Sequence, residues 1–306
     1  ELVKPSSTVG AALENKAATD FSNLPNPQAA LYNLGAGTGR DLLDNPLFQI
    51  NQRNITAAEY TSSVIRTVDR WEAWRYDVEV TSDGISIAEH TEGSAGWFRQ
   101  MLDIPLMGKD VTFSAIIDGE LHSVTALSFK SDIYSEWKDN ARLSIGYSGQ
   151  TGLYSAAIYN NTAVKKVIQA TKLELGSQQT LAHQDTAGNW VLNDPPPDPT
   201  LELLKCQRYF KSIGGVDTHM MGQVNYSKAN EVIVNVPGVP MRATPTLSYK
   251  PIYNSSAVVF DGQPYAVTGA KAFSDKLFMI LIDSDLPAKG PAAVYLNEDI
   301  WLSAEL

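Results

Sequence analysis

Apolar and polar residues alternate with a period of two along much of this chain, and that alternation constrains the fold more than any other feature. In residues 76–80, Tyr, Val and Val alternate with Asp and Glu. The pair Asp83-Gly84 then signals a tight turn, and the alternation resumes in residues 85–87. Two alternating runs joined by Asp-Gly are typical of a β-hairpin. The sequence therefore predicts strands with one buried and one solvent-facing side.

The same pattern returns further along the chain. Residues 111–117 alternate and run into Asp118-Gly119, and residues 141–147 alternate again. Several short strands at this spacing are typical of two packed antiparallel sheets. We therefore predict an all-β fold with a β-sandwich domain over residues 41–194.

A proline-rich segment at residues 194–199 is the clearest break in the chain. Proline removes backbone donors and a run of prolines is extended, so we place a domain boundary there. A short helix is expected over residues 201–210, because apolar and polar residues are mixed there with a helical spacing. We expect it to end before Gly214-Gly215. Alternating segments follow, which predicts a second, smaller β-sandwich domain over residues 200–306.

Residues 1–40 have a different composition, rich in Ala, Ser, Asn and Gly. Asn26 as N-cap, Pro27 at the first helical position and Gly35 just past the end predict one short helix, and residues 9–16 predict another. Helices this short are marginal in water. This N-terminal helical segment therefore either packs against a partner surface or is an unstructured tail.

Charge and composition exclude several classes of function. The net charge is −10 and the pI is near 4.9, so the clustered Lys and Arg needed to bind nucleic acid are missing. Apolar runs are short and interrupted by charges, which argues against membrane insertion. A single cysteine, Cys206, excludes an internal disulfide framework and a cysteine-built zinc site.

Motifs for catalysis are not evident. The histidines, His90, His122, His183 and His219, are far apart in sequence and none has a metal-ligand spacing or a nucleophile-elbow context. We therefore predict a protein that binds other molecules and is not an enzyme. Paired glycosidase carboxylates come together from distant strands and leave no short motif, so a hydrolase remains an alternative.

Aromatic residues in a polar loop are the best candidates for a ligand site. Tyr134 and Trp137 lie among strongly polar neighbours in residues 131–139, where full burial is not expected. We predict that Tyr134 and Trp137, with the carboxylates of Glu136 and Asp139, bind a ligand. The alternative is that the two rings pack against the rim of the sandwich.

The same loop carries three carboxylates, Asp132, Glu136 and Asp139. They could ligate calcium through oxygens or simply keep the loop solvated, and we favour the second interpretation and expect no cofactor. Trp71 and Trp97 have apolar neighbours and are predicted to lie in the core.

Several segments resemble tail-fibre and receptor-binding proteins of tailed bacteriophages. The similar segments are residues 23–35, residues 41–53, Asp69-Arg70-Trp71, Lys172–Gly176 and Glu202–Phe210. The resemblance implies a jelly-roll sandwich with a distal β domain, preceded by a short helical shaft segment. It also implies a homotrimer in the virion, joined to other tail proteins through the N-terminal segment and adsorbing to bacterial surface glycans.

The family supplies no catalytic residues. We interpret Asp69, Arg70 and Trp71 as structural, with the Arg paired to an acidic neighbour beside a core tryptophan. Three alternatives to an adhesin stay open: a tail depolymerase that cleaves the same glycan, a purely structural tail or baseplate component, and a bacterial carbohydrate-binding module.

Overall fold

The computed structural model describes residues 39–305 apart from 94, 214–217, 237, 250–255 and 297–299. The helices predicted within residues 1–40 lie outside the described residues. Within that part of the chain the fold is all-β apart from one short helix, which confirms the predicted class. No helix among the described residues is both long enough and apolar enough to cross a membrane.

A jelly-roll-like sandwich of two antiparallel six-stranded sheets follows residue 41. Its strands are β1 (Ala57–Ala58), β2 (Ile65–Arg66), β3 (Trp71–Trp74), β4 (Tyr76–Thr81), β5 (Gly84–Glu89), β6 (Trp97–Leu102), β7 (Val111–Ile117), β8 (Glu120–Ala126), β9 (Ile133–Tyr134), β10 (Ala141–Ser148), β11 (Leu153–Asn160) and β12 (Lys166–Leu175). The strand order is β2-β3-β6-β11-β10-β9 in what we call the front sheet, and β1-β4-β5-β12-β7-β8 in the back sheet.

Both predicted hairpins form, but only the second turns at its Asp-Gly pair. β7 and β8 join through Asp118-Gly119, whereas β4 and β5 join through Ser82-Asp83, because Gly84 already pairs with Thr81 as the first residue of β5. In the second turn both residues have left-handed backbone, with φ of 51° and 80°. Asp and Gly tolerate this conformation, which matches the twist of the paired strands.

Alternate residues of the strands fill the space between the two sheets. Phe113, Leu143, Ile145 and Ile158 are among the fully buried members of this core. Trp71 is 1% exposed and stacks on Phe98 with ring centres 4.9 Å apart, so its predicted core position is confirmed.

A small hairpin covers part of the back sheet. It consists of β13 (Ala182–Gln184) and β14 (Trp190–Leu192). Ala182 packs with Ile116 and Ala170 of the back sheet in a separate small apolar cluster.

The Asp-Arg-Trp segment is buried and structural. Arg70 is 5% exposed, and its Nε donates to Asp44 Oδ2 at 3.0 Å, while its guanidinium lies 3.4 Å from the ring centre of Tyr209. The paired acid is thus Asp44 and not the adjacent Asp69. Asp69 instead accepts from the backbone N–H of Gln52 at 2.7 Å.

The predicted helix after the prolines begins and ends earlier than expected. Helix α1 spans Pro199–Cys206, with Asp198 as N-cap accepting from Thr200 N at 2.7 Å. An Asp cap with Pro at the first position favours that start. The boundary at residue 210 was wrong because Phe210 already pairs in a strand.

The C-terminal part forms a second β unit. Its strands are β15 (Phe210–Ile213), β16 (Thr218–Val224), β17 (Glu231–Asn235), β18 (Thr246–Tyr249), β19 (Ala257–Phe260), β20 (Gln263–Ala272), β21 (Leu277–Ile282), β22 (Pro291–Leu296) and β23 (Ile300–Ser303). β15, β23 and β18 form a small sheet, whereas β16-β17-β21-β20-β19-β22 close into a barrel. Closure pairs both edges of the larger sheet, and residues of both sheets share one apolar core.

Candidate functional site

The outward side of the front sheet is the candidate site. Along β10, Leu143 and Ile145 point into the core, so Arg142, Ser144 and Gly146 point outward. One row crosses the sheet by direct pairing, from Tyr134 through Ser144, Ala157 and Arg99 to Glu72. The two middle residues, Ser144 and Ala157, are small, and we call them the floor. They are only 3% and 2% exposed, so the larger side chains around them cover the floor.

Tyr134, Trp137, Arg142 and Tyr159 form a cluster at one end of the floor, which we call the aromatic platform. Tyr134 is 45% exposed and Trp137 43% exposed, so both rings offer surface to a ligand. The guanidinium carbon of Arg142 lies 4.6 Å from the ring centre of Trp137 and 4.7 Å from that of Tyr134. The same carbon lies 5.0 Å from the ring centre of Tyr159, which is paired with Arg142 across the strands.

Arg142 is the centre of the platform. Its Nε is buried without a hydrogen-bond partner, and among the described residues its guanidinium forms no ion pair. Its positive charge therefore lies against the faces of aromatic rings, whose quadrupoles attract cations. This packing fixes the rings of Tyr134 and Trp137 relative to the sheet.

The predicted loop residues are brought to the platform only in part. Tyr134 and Trp137 join it, whereas Glu136 and Asp139 are exposed elsewhere on the same loop. Asp132 accepts from the backbone N–H of Tyr147 at 2.8 Å. Across the described ranges, no three His, Cys, Asp or Glu residues are grouped so that they could hold a metal ion.

The loop is tied to the sheets at several points. Ser135 Oγ accepts from Leu143 N at 3.0 Å, and Lys138 bridges to Ala141 through backbone hydrogen bonds of 2.9 Å in both directions. Burial and the neighbouring hydroxyl of Tyr159 raise the pKa of Tyr134, so its phenol is neutral at physiological pH.

A second aromatic pair lies at the other end of the floor. Trp74 and Trp97 are direct partners on β3 and β6, with ring centres 6.1 Å apart. The guanidinium of Arg99 lies 3.7 Å from the ring centre of Trp97 and donates to Glu72 at 2.8 Å. The prediction that Trp97 lies in the core was wrong, because the neighbouring Phe98 takes the inward position and is fully buried.

Two further concave regions exist. A cleft of about 320 Å³ on the back sheet is lined by four acidic residues, and the carboxylates of three of them have partners among the described residues. Glu89 accepts from Gly93 N at 2.8 Å, Glu79 pairs with Lys165 at 2.5 Å, and Asp77 lies 2.8 Å from the ring of His90.

The other is a pocket of about 330 Å³ between the start of the sandwich, β12 and α1. Lys172 lines it and is about 1% exposed, and it pairs with Asp194. Burial raises the pKa of Asp41, which also lines this pocket, to about 7. We call this pocket the polar junction, because Asp41, Lys172 and Asp194 meet there beside apolar side chains such as Leu43 and Leu47.

Comparison with models of protein families, with curated proteins and with solved structures found no match for this chain. The site therefore has to be interpreted from its own geometry.

The sequence did not indicate that Arg142 and Tyr159 belong to the site, or that Trp74 pairs with Trp97. Arg142 alternates with core residues in its strand, which signals only that it points outward. Its three ring contacts depend on the register between strands, and the sequence carries no direct record of that register.

Proposed function

We propose that this protein is a glycan-binding adhesin and that the aromatic platform binds the sugar. The observation that carries the proposal is that two exposed rings, Tyr134 (45%) and Trp137 (43%), both pack against Arg142 of strand β10. A group of large aromatic side chains exposed together marks a recognition site.

The chemistry of the platform suits a sugar. Sugar rings have apolar faces that pack on aromatic rings, while their hydroxyls need hydrogen-bonding groups at the edge. The platform supplies both, because the exposed rings of Tyr134 and Trp137 stand beside the phenol group of Tyr134 and the guanidinium of Arg142. The hydroxyl of Ser144 is buried and donates to Tyr159 Oη at 3.4 Å, which helps to hold Tyr159 in place. Packing that fixes these groups before binding reduces the entropy lost on association.

The setting of this activity follows the resemblance in sequence to bacteriophage receptor-binding proteins. In this proposal the chain is a homotrimer at the end of a virion appendage and adsorbs to a bacterial surface polysaccharide. The N-terminal segment joins it to other tail proteins. A jelly-roll-like sandwich followed by a second β unit supports this assignment at the level of fold only.

A glycan array of bacterial surface polysaccharides tests the proposal directly. We expect the full chain to bind at least one polysaccharide, and Trp137→Ala to weaken that binding about tenfold, which is the effect of about 1.4 kcal/mol. Tyr226→Ala is a matched control, because Tyr226 is 88% exposed in the C-terminal unit.

Three outcomes would contradict parts of the proposal. Unchanged binding in Trp137→Ala with loss in Tyr226→Ala would move the ligand site away from the platform. A monodisperse monomer in sedimentation analysis would contradict the trimeric fibre. Release of reducing ends from the bound polysaccharide would show a depolymerase and not a simple adhesin.

A further inference from the structure

We propose that the glycan bound at the platform is acidic, and that Arg142 binds its carboxylate. This inference rests on the proposed function, because it names the chemical class of the ligand for the same surface.

Arg142 differs from the other arginines of the front sheet in its charge partners. Arg99 and Arg66 on the same face share a carboxylate partner, because both pair with Glu72, at 2.8 Å and 2.6 Å. Arg142 has no such partner among the described residues, and its Nε is buried without a hydrogen bond. The buried Nε is out of reach of a ligand, so an incoming anion would meet the terminal nitrogens of the guanidinium, whose charge has no carboxylate partner among the described residues.

The surroundings of the Arg142 guanidinium leave it ready to bind a carboxylate. Rings of Tyr134, Trp137 and Tyr159 surround the guanidinium at 4.6–5.0 Å, so its plane is held in place without a protein carboxylate. A guanidinium presents its N–H groups as a planar fork that matches the two oxygens of a carboxylate. A uronic or sialic acid unit stacked on Trp137 would place its carboxylate beside such a fork.

The two aromatic clusters suit a ligand longer than one sugar unit. Ile158 pairs with Phe98, so the antiparallel register puts Tyr159 of the platform opposite Trp97. Neighbouring strands are about 4.8 Å apart, so Arg142 on β10 and Trp97 on β6 are about 10 Å apart, with Tyr159 on the strand between them. An oligosaccharide with its acidic unit at Arg142 could therefore continue over Tyr159 to Trp97.

The test compares acidic polymers with their neutral derivatives. Polygalacturonate, alginate and polysialic acid would each be measured beside the carboxyl-reduced form of the same polymer. We expect at least one acidic polymer to bind, and its carboxyl-reduced form to bind about 10- to 100-fold more weakly, the range for a hydrogen bond to a charged group.

Variants of the full chain assign that preference to Arg142. Arg142→Gln should remove the preference for the acidic form, and Arg142→Lys should keep part of it because the charge remains. Lys165→Gln is the matched control, since it removes one positive charge from an exposed pair next to the back sheet. Lys165→Gln should bind like the wild-type protein.

Failure of the inference is distinguishable from failure of the proposed function. If the wild-type protein binds a neutral polymer as tightly as the acidic one, with Trp137→Ala still weakening it, the platform binds glycans but the inference is wrong. If Arg142→Gln folds and keeps the acidic preference, the inference is also wrong. If Arg142→Gln does not fold, two other measurements test the inference. The wild-type protein should still prefer the acidic polymer to its carboxyl-reduced form, and Arg142→Lys should keep only part of that preference.

Discussion

Arg53 and Glu305 form an ion pair of 2.5 Å although 252 positions separate them, and their side chains are only 6% and 3% exposed. The pair joins the first turns of the sandwich to the residues that follow the last strand. Arg53 also lies 3.6 Å from the ring centre of Phe210, at the start of β15. Arg66 approaches the same carboxylate at 3.7 Å.

We expect Glu305→Gln to be more destabilising than Arg53→Met. Removing the carboxylate leaves the buried Arg53 charge without its partner, which costs about 3–5 kcal/mol. Removing Arg53 leaves Glu305 with Arg66 nearby, so the loss should be smaller. Urea unfolding followed by circular dichroism measures both losses. Equal losses, or a loss below about 0.5 kcal/mol for Glu305→Gln, would contradict this account of the pair.

Gly84 and Gly119 each follow an aspartate in a hairpin, but Gly84 is the first residue of β5 and Gly119 lies in the turn itself. A Cβ at Gly84 would lie 2.0 Å from the carbonyl oxygen of Ile168, whereas one at Gly119 has open space. Gly84→Ala must therefore displace backbone of β12 and should cost about 3 kcal/mol or more. Gly119→Ala carries only the strain of a left-handed backbone, about 1 kcal/mol. Thermal unfolding of both variants compares them, and similar melting temperatures would contradict the prediction.

These turns show how much of the fold the sequence predicts. Asp-Gly and period-two alternation are local signals, so both hairpins were predicted correctly, although the first turn lies at Ser82-Asp83, one residue before the predicted pair. The end of α1 was not, because Phe210 is recruited into a strand by pairing with Ser303, far along the chain. Closure of the barrel depends likewise on long-range pairing, between β16 and β22.

The buried position of Trp71 and the outward position of Trp97 can be tested by comparing their alanine variants. Trp71 is 1% exposed, stacks on Phe98 and donates to the carbonyl of Asn45, so Trp71→Ala should cost about 3–5 kcal/mol. Trp97 is half-buried on the outer face, and Trp97→Ala should cost about 1 kcal/mol. Urea denaturation monitored by circular dichroism gives both values. A loss of stability well above about 1 kcal/mol for Trp97→Ala would indicate that Trp97 lies in the core.

The site was predicted to a lesser degree than the fold. Tyr134 and Trp137 were found because large aromatic residues in a polar loop are unusual. Arg142 and Tyr159 were missed because they meet only when β10 pairs with β11 in one register. A shift by one residue would turn Arg142 into the core, so the register and the site are set together by the buried face.

Asp41 lies where several segments of the polar junction meet. Its Oδ1 accepts from Leu43 N at 2.9 Å and from Leu173 N at 3.1 Å. Burial raises its pKa from the usual 3.8 to about 7, although these hydrogen bonds and Lys172 oppose the shift. Burial also raises the pKa of Glu174, and Glu174 is left unchanged in the variants compared below.

Asp41→Asn should make the protein less sensitive to pH between about 4 and 7. The folded state holds the Asp41 proton to a higher pH than the unfolded state, so this group's contribution to stability falls as pH rises through that window. Asn keeps an acceptor oxygen but has no charge. The free energy of unfolding of the variant should match that of the wild-type protein near pH 4 and exceed it near pH 7.5 by about 1–2 kcal/mol. This value is reduced to allow for the partial exposure of Asp41. Asp83→Asn, at an exposed turn, controls for net charge, and an equal pH profile in Asp41→Asn and wild type would show that Asp41 titrates normally.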